Sequence, residues 1–205
     1  IVLLQSRGAA LISGISFLVV IFSYVRFRTA VWIVFSAGLA ILALDAMTGF
    51  SLLSKFTNIQ DTRFSLWFAA WELFLEKPWL GFGPHTYVFF YQEFLPSGSG
   101  FAIETRITPW AHNLYLELLS EQGILVASSF VLLLVFNLTQ AWKATCYNAR
   151  RSLVELGAAT SMTGFVLAAG IELSFIRIWV VLMLFVLLAI IHNLPTRYPE
   201  SSDIE

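Results

Sequence analysis

Residues 109–123 read Pro109-Trp110-Ala111-His112-Asn113-Leu114-Tyr115-Leu116-Glu117-Leu118-Leu119-Ser120-Glu121-Gln122-Gly123 and lead straight into an uncharged apolar run from Ile124 to Trp142. The run is long enough to cross a bilayer, since a spanning helix needs about 20 apolar residues and rarely fewer than about 17. The stretch before it is different: it sets a histidine, an asparagine and two glutamates at the mouth of that span. Ionisable groups in such a place are costly unless they are used. Pro109 precedes a new helix in which His112, Leu116 and Leu119 share one stripe and Asn113 and Glu117 share the next. Gly123 either separates this helix from the span or kinks the two together.

The composition extends the membrane reading to the whole chain. Of 205 residues, 58% are hydrophobic and only 12% charged, where a soluble domain carries roughly 25% charged residues; the mean hydropathy is +0.78. Apolar segments run from Ala9 to Val25, Ala30 to Met47, Ile124 to Trp142, Gly157 to Phe175 and Ile178 to Ile191. The expected fold class is therefore all-α, a polytopic integral membrane protein with about five transmembrane helices and a long loop carrying amphipathic interfacial helices. Only Ser174, Phe175, Ile176 and Arg177 part the last two segments, which reads as a tight hairpin. The organisation is residues 1–47, two spans; 48–123, an extracytoplasmic loop; 124–194, three spans; and 195–205, a cytoplasmic tail.

Charge then orients the chain. Arg26 and Arg28, then Lys143, Arg150 and Arg151, then Arg197 all fall on one side of this arrangement. Lys and Arg in short loops mark the cytoplasm. Arg7, the long loop and the Glu172 to Arg177 corner then face the periplasm or cell exterior. The net charge of −1 leaves no footprint for a nucleic-acid partner. A single cysteine, Cys146, excludes a disulfide framework and a multi-thiolate metal site, and lone His85, His112 and His192 lack zinc-ligand spacing. No cofactor is called for. The chain opens at Ile1 on an apolar segment without the basic flank of a signal peptide, which reads as the C-terminal portion of a longer protein.

In the long loop, Asp61 or Thr62 can cap a helix from Arg63 to about Lys77 that stops before Pro78. Its apolar arc is Phe64, Trp67, Trp71, Phe74 and Leu75, with Ser65, Glu72 and Glu76 opposite, so it should lie in the membrane interface. Arg63 breaks that pattern. It sits on the lipid-facing edge, away from the acidic face, and wants an anion from that side; snorkelling to phospholipid headgroups is the plainer alternative. Gly81 and Gly83 allow a tight turn and Pro84 bars helix continuation. Arg106 could reach into a site or stay a solvated loop charge. Glu172 and Arg177 would meet at the hairpin tip, as a structural ion pair or as part of an acceptor cleft.

Ser6-Arg7-Gly8-Ala9, the Arg63-x-x-x-Trp67 helix start, Pro78-x-x-Gly81-x-Gly83, His112-Asn113-x-Tyr115-x-Glu117 and Glu121-x-Gly123 follow one another in an order and membrane setting that resembles the O-antigen ligase and polymerase family of the bacterial envelope. The resemblance runs over residues 6–123; His85 and Arg106 fall outside its motifs. It implies a metal-independent glycosyltransferase of the bacterial inner membrane with its site facing the periplasm. The donor would be a glycan on a polyprenyl (undecaprenyl) diphosphate carrier, and the acceptor a sugar hydroxyl of the lipid A-core or, in a polymerase, of another repeat unit. The resemblance assigns Arg7 and Arg63 to the donor diphosphate and His112 to the acceptor hydroxyl, with Asn113, Glu117, Gly81, Gly83 and Arg106 as possible support. Membrane lipids are the remaining partner. A transporter or flippase for lipid-linked sugars is the competing class. It would keep ionisable groups at mid-membrane in repeated halves, whereas the centres of these spans are almost uncharged and show no internal repeat.

Overall fold

The structure, a computed structural model, describes residues 13–18, 22, 27–47, 49, 62–96, 107–108, 110–147 and 153–194. Among the described residues it is all-helical, with no strand. The helices are α1 (Phe27–Met47), α2 (Arg63–Glu76), the short α3 (Tyr87–Phe90) with a 3-10 turn at Tyr91–Phe94, α4 (Leu114–Tyr147), α5 (Leu153–Ala169) and α6 (Ile178–His192).

Helices α4, α5 and α6 pack on one another around Leu118, Leu134, Met162, Phe165 and Leu184. Ala141, Ala144, Ala158, Ala159 and Ala169 line the same seam. Small residues let helix backbones approach where lipid, not water, is the competing solvent. The outward faces are apolar: Leu132, Phe136, Phe185 and Val186 are all more than half exposed. Surface of this kind suits a lipid environment.

Helix α4 is the one described helix clearly long and apolar enough to span a membrane, over Leu114–Thr145. At 1.5 Å per residue those 32 residues reach about 48 Å, well beyond a hydrocarbon core of about 30 Å. The chain resolves the excess at Gly123, whose φ of 76° and ψ of −178° break the helix and set Leu114–Gln122 off as a separate segment. Helices α5 and α6 are apolar but shorter, and most of the first expected span lies outside the described residues.

Helix α2 follows its expected limits, with Lys77 as the C-cap. The stripe it buries is Leu66, Ala69, Ala70 and Leu73, leaving Phe64, Trp71 and Leu75 exposed. The bulky arc thus faces outward and the small residues face the protein. Ser65, expected on the polar side, is buried, its hydroxyl donating to the Thr62 carbonyl. Under α2, the Tyr87 and Tyr91 rings stack with centroids 5.1 Å apart, and the Tyr87 hydroxyl donates to the Leu66 carbonyl at 3.0 Å.

Two expectations change. His112 does not share a helical stripe with Leu116 and Leu119, because α4 begins at Leu114. Asn113 caps it: its Oδ1 accepts the backbone N–H groups of Tyr115 and Leu116 at 3.1 and 3.2 Å, which an asparagine side chain does better than a further helical turn. The hairpin tip is also wider than Ser174–Arg177. Helix α5 ends at Ala169, and the chain turns from Gly170, with the N–H groups of Glu172 and Leu173 both donating to the Ala168 carbonyl.

Candidate functional site

Three separate pieces of chain deliver the site: the first turn of α2, the cap before α4 and the corner between α5 and α6. Arg63 comes from the first, His112 from the second and Glu172 from the third. An Arg63 guanidinium N–H donates to Glu172 Oε2 at 2.7 Å, a short charge-assisted bond. Glu172 Oε1 lies 3.6 Å from His112 Nδ1. The three side chains are 26%, 28% and 21% exposed, so the cluster can be reached from outside. Burial alone drives the Glu172 pKa up, yet the His112 imidazole beside it and the charges of Arg63 and Arg177 outweigh it, and the carboxyl is held below its usual range. It is an anion at neutral pH.

Glu172 therefore pairs with Arg63 and not with Arg177, as the hairpin reading expected. Arg63 meets an acid supplied by the protein itself, across 109 positions of sequence. Arg177 lies instead over the Trp110 ring, 4.5 Å from its centroid. Trp110 stands edge-on to the His112 ring and donates its indole N–H to His112 Nδ1 at 3.2 Å.

His112 owes its position to backbone geometry. Its φ is 54°, in the left-handed region that non-glycine residues seldom enter. Such strain persists only where the surroundings impose it. Here the Asn113 cap fixes the chain on one side, and Ala111, fully buried against the Tyr91 cluster, fixes it on the other.

The corner bearing Glu172 is tied to α4 from beneath. Glu117, 3% exposed, accepts the Ser174 hydroxyl at 2.8 Å and the Phe175 N–H at 3.3 Å on Oε1. Its Oε2 is buried with no hydrogen-bond partner among the described residues. The Tyr115 hydroxyl donates to the Val166 carbonyl at 2.9 Å, and its ring passes within 3.7 Å of where a Cβ on Gly170 would stand.

Gly81 and Gly83 have a different task. Gly81 (φ 64°) presses on the backbone of Glu121 and Gln122, and Gly123 presses on Trp79, so closely that a Cβ at either would run into main chain. The Phe82 and Gly83 N–H groups donate to the Ser120 and Glu121 carbonyls at 3.1 and 2.7 Å, and Ile124 N–H donates to the Pro78 carbonyl at 2.8 Å. Carbonyls freed by the kink thus find partners in the Pro78–Gly83 loop. Glu121 completes the joint: its carboxylate accepts the N–H groups of His85 and Tyr87 at 2.9 and 3.0 Å.

Among the expected site residues, the structure brings Arg63 and His112 together through Glu172, makes Asn113 a cap and Glu117 a brace, and turns Gly81 and Gly83 toward the kink. Arg7 and Arg106 lie outside the described residues. Trp110 and Ser174 were not singled out in the sequence, and neither carries a motif that would have done so. Among the described residues, no three His, Cys, Asp or Glu side chains gather as a metal site. A hollow of about 390 Å³ lined by apolar atoms of Tyr115, Leu118, Leu119, Ile124, Ala127 and Val131 flanks the kink.

Fold and site define a helical protein that presents an arginine–carboxylate–histidine cluster at one end of a helix long and apolar enough to span a membrane. The chain belongs to the O-antigen ligase family, which it matches over residues 1–131. That family acts in bacterial polysaccharide biosynthesis at the membrane, on lipid-linked glycans, and includes glycosyltransferase-like ligases and polymerases. No curated protein and no solved structure matches the chain.

Proposed function

We propose that the protein is a metal-independent glycosyltransferase of the bacterial inner membrane. It transfers a glycan from a polyprenyl diphosphate, taken to be the undecaprenyl carrier, to a sugar hydroxyl of the lipid A-core. The observation that carries the reading is the Arg63–Glu172–His112 cluster, which sets a cation for an anionic leaving group beside a base for a hydroxyl. Negative charge grows on the diphosphate as the glycosidic bond breaks, and a guanidinium fork stabilises it bidentately. Arg63 fills that role here, and Arg7 is proposed to join it. His112 accepts the proton of the attacking hydroxyl, a contribution of about 10² to 10⁴ in rate. Glu172 holds Arg63 until the donor arrives and stands beside His112. The apolar hollow beside Tyr115 offers the isoprenoid chain a place out of water.

The proposed arrangement keeps the five-span topology, with two spans in residues 1–47, three in 124–194 whose Glu172–Arg177 corner lies on the periplasmic side, 48–123 as a periplasmic loop and 195–205 in the cytoplasm. The exposed aromatic arc of α2 supports an interfacial position for that helix, at headgroup depth. Gly81 and Gly83 support the site through the joint at the kink, Asn113 and Glu117 through its two anchors, and Arg106 is kept as a candidate contact to substrate.

The test is a transfer assay on the intact protein with a lipid-diphosphate-linked glycan and two acceptors, a lipid A-core and a free repeat unit. Transfer to the core makes it a ligase; elongation of the repeat unit makes it a polymerase. His112→Ala should lower single-turnover transfer by at least about tenfold to a hundredfold at saturating donor, with donor affinity little changed. A folded His112→Ala variant that turns over at the wild-type rate removes the histidine from the chemistry.

A further inference from the structure

Nδ1 of His112 has two neighbours with opposite demands. The indole N–H of Trp110, 3.2 Å away, needs a lone pair on that nitrogen. The Oε1 of Glu172, 3.6 Å away, needs a proton on it. A neutral imidazole has one N–H and one lone pair, so Nδ1 cannot serve both at once. Of the two distances only the first is a formed hydrogen bond; the second is beyond ordinary N–H···O reach. The Trp110 hydrogen bond requires the lone pair on Nδ1, which in a neutral ring leaves the proton on Nε2, since the partner of one ring nitrogen fixes the state of the other.

That is the wrong tautomer for taking a proton through Nε2. We propose that Trp110 is a positioning residue that keeps His112 idle at rest, and that passing Nδ1 from Trp110 to Glu172 arms the base; this rests on the reading of His112 as proton acceptor. Arming is a proton exchange with solvent, which reaches the partly exposed ring: Nδ1 takes a proton from water and Nε2 returns its own, so that Nδ1–H donates to Glu172 and the Nε2 lone pair faces the acceptor. The hydroxyl proton moves to Nε2 and its oxygen bonds to the anomeric carbon of the donor sugar. The bond from that carbon to the diphosphate oxygen breaks, and its electron pair leaves with the diphosphate. The imidazolium formed keeps Nδ1–H on the Glu172 carboxylate, an arrangement that an indole N–H at the same nitrogen would oppose.

The trigger is built beside it. Arg177 lies over the Trp110 ring, 4.5 Å from its centroid, and its charge also acts on Glu172. An anionic donor that draws Arg177 toward its phosphates unloads the indole from that side and frees it to leave Nδ1. Catalysis is thereby made conditional on a loaded donor.

The experiment is ¹⁵N NMR of histidine-labelled intact protein in lipid nanodiscs, with the His112 signals identified by their loss in His112→Gln. Wild-type protein without donor should show the unprotonated ring nitrogen at Nδ1. Trp110→Phe keeps an aromatic ring under Arg177 but removes the N–H, and should move the unprotonated nitrogen to Nε2. Adding Glu172→Gln removes the anion that draws the proton and should reverse that change, even where the single variant is slightly destabilised. A wild-type lone pair on Nε2, or a Trp110→Phe spectrum identical to wild type, overturns the proposal. The readout is independent of activity: a tautomer exchange in a protein whose His112→Ala variant transfers normally upholds the role of Trp110 and defeats the proposed base instead.

Discussion

Arg63 sits on the aromatic edge of α2, where the sequence suggests that it needs an anion, and the anion turns out to be Glu172 at 2.7 Å. A guanidinium and an ammonium carry the same charge, but only the first offers a planar fork to a carboxylate or a diphosphate. Arg63→Lys should therefore insert and fold while losing donor use. The forfeited charge-assisted hydrogen bond, worth about 1.5–3 kcal/mol, corresponds to roughly a tenfold to hundredfold loss in transfer per donor concentration. Equal rates for the lysine variant across a donor titration would reduce Arg63 to a snorkelling charge. Glu172 gives a second residue-level test. Its folded pKa lies below the ordinary carboxylate value of 4.5, so its pairing contributes stability that is fully present above about pH 4.5 and is lost as pH falls through the lower folded value. Melting temperature should drop on acidification below that point, and Glu172→Gln should flatten this part of the curve. A variant that keeps the wild-type acid limb would show that other carboxylates govern it.

At the scale of elements, the decisive feature is the joint between the Pro78–Gly83 loop and the broken helix α4. Gly123 combines a left-handed φ of 76° with main-chain contact to Trp79, so a side chain there meets both backbone strain and a clash. Gly123→Ala should cost at least about 2 kcal/mol, counting the left-handed penalty of about 1–2 kcal/mol and the contact on top of it. Gly157, inside α5 with nothing within 4 Å of its Cβ position, is the control: alanine there should gain about 0.5–1 kcal/mol from the helix. The measurement is the thermal melt of both variants in one detergent, and equal shifts would show that the joint is not strained. Part of this was legible beforehand. Glycine spacing implies a turn and Gly123 either a separation or a kink, but that the two glycine motifs press on each other depends on contacts across about 40 residues, which no local pattern encodes.

For the whole molecule, the length of α4 and the exposed apolar faces of α4 and α6 suit a bilayer, and the proposed topology takes its direction from the Lys and Arg of the short loops. A cysteine introduced near Gly100 should react with a membrane-impermeant thiol reagent in intact spheroplasts, and Cys146 should not. Labelling of Cys146 alone would invert the topology and carry the site to the cytoplasm.

The sequence by itself determined the apolar character, the helical class and the helix from Arg63, because each rests on composition or on periodicity within one segment; Arg63 and His112 were singled out as a pair through the succession of family motifs. Hydropathy and helical spacing are local sums, readable residue by residue. It misplaced His112 on a helix because the cap formed by Asn113 competes with a further helical turn, and propensity alone does not decide between them. It paired Glu172 with Arg177 because they are neighbours in sequence. Only the tertiary structure could bring Glu172 to Arg63, Ser174 to Glu117 and Trp110 to the same nitrogen of His112 that faces Glu172. Those contacts join segments whose relative positions are set by the packing of α2 and α5 on α4, and electrostatic partners fall off so steeply with distance that a few ångströms of packing choose among them.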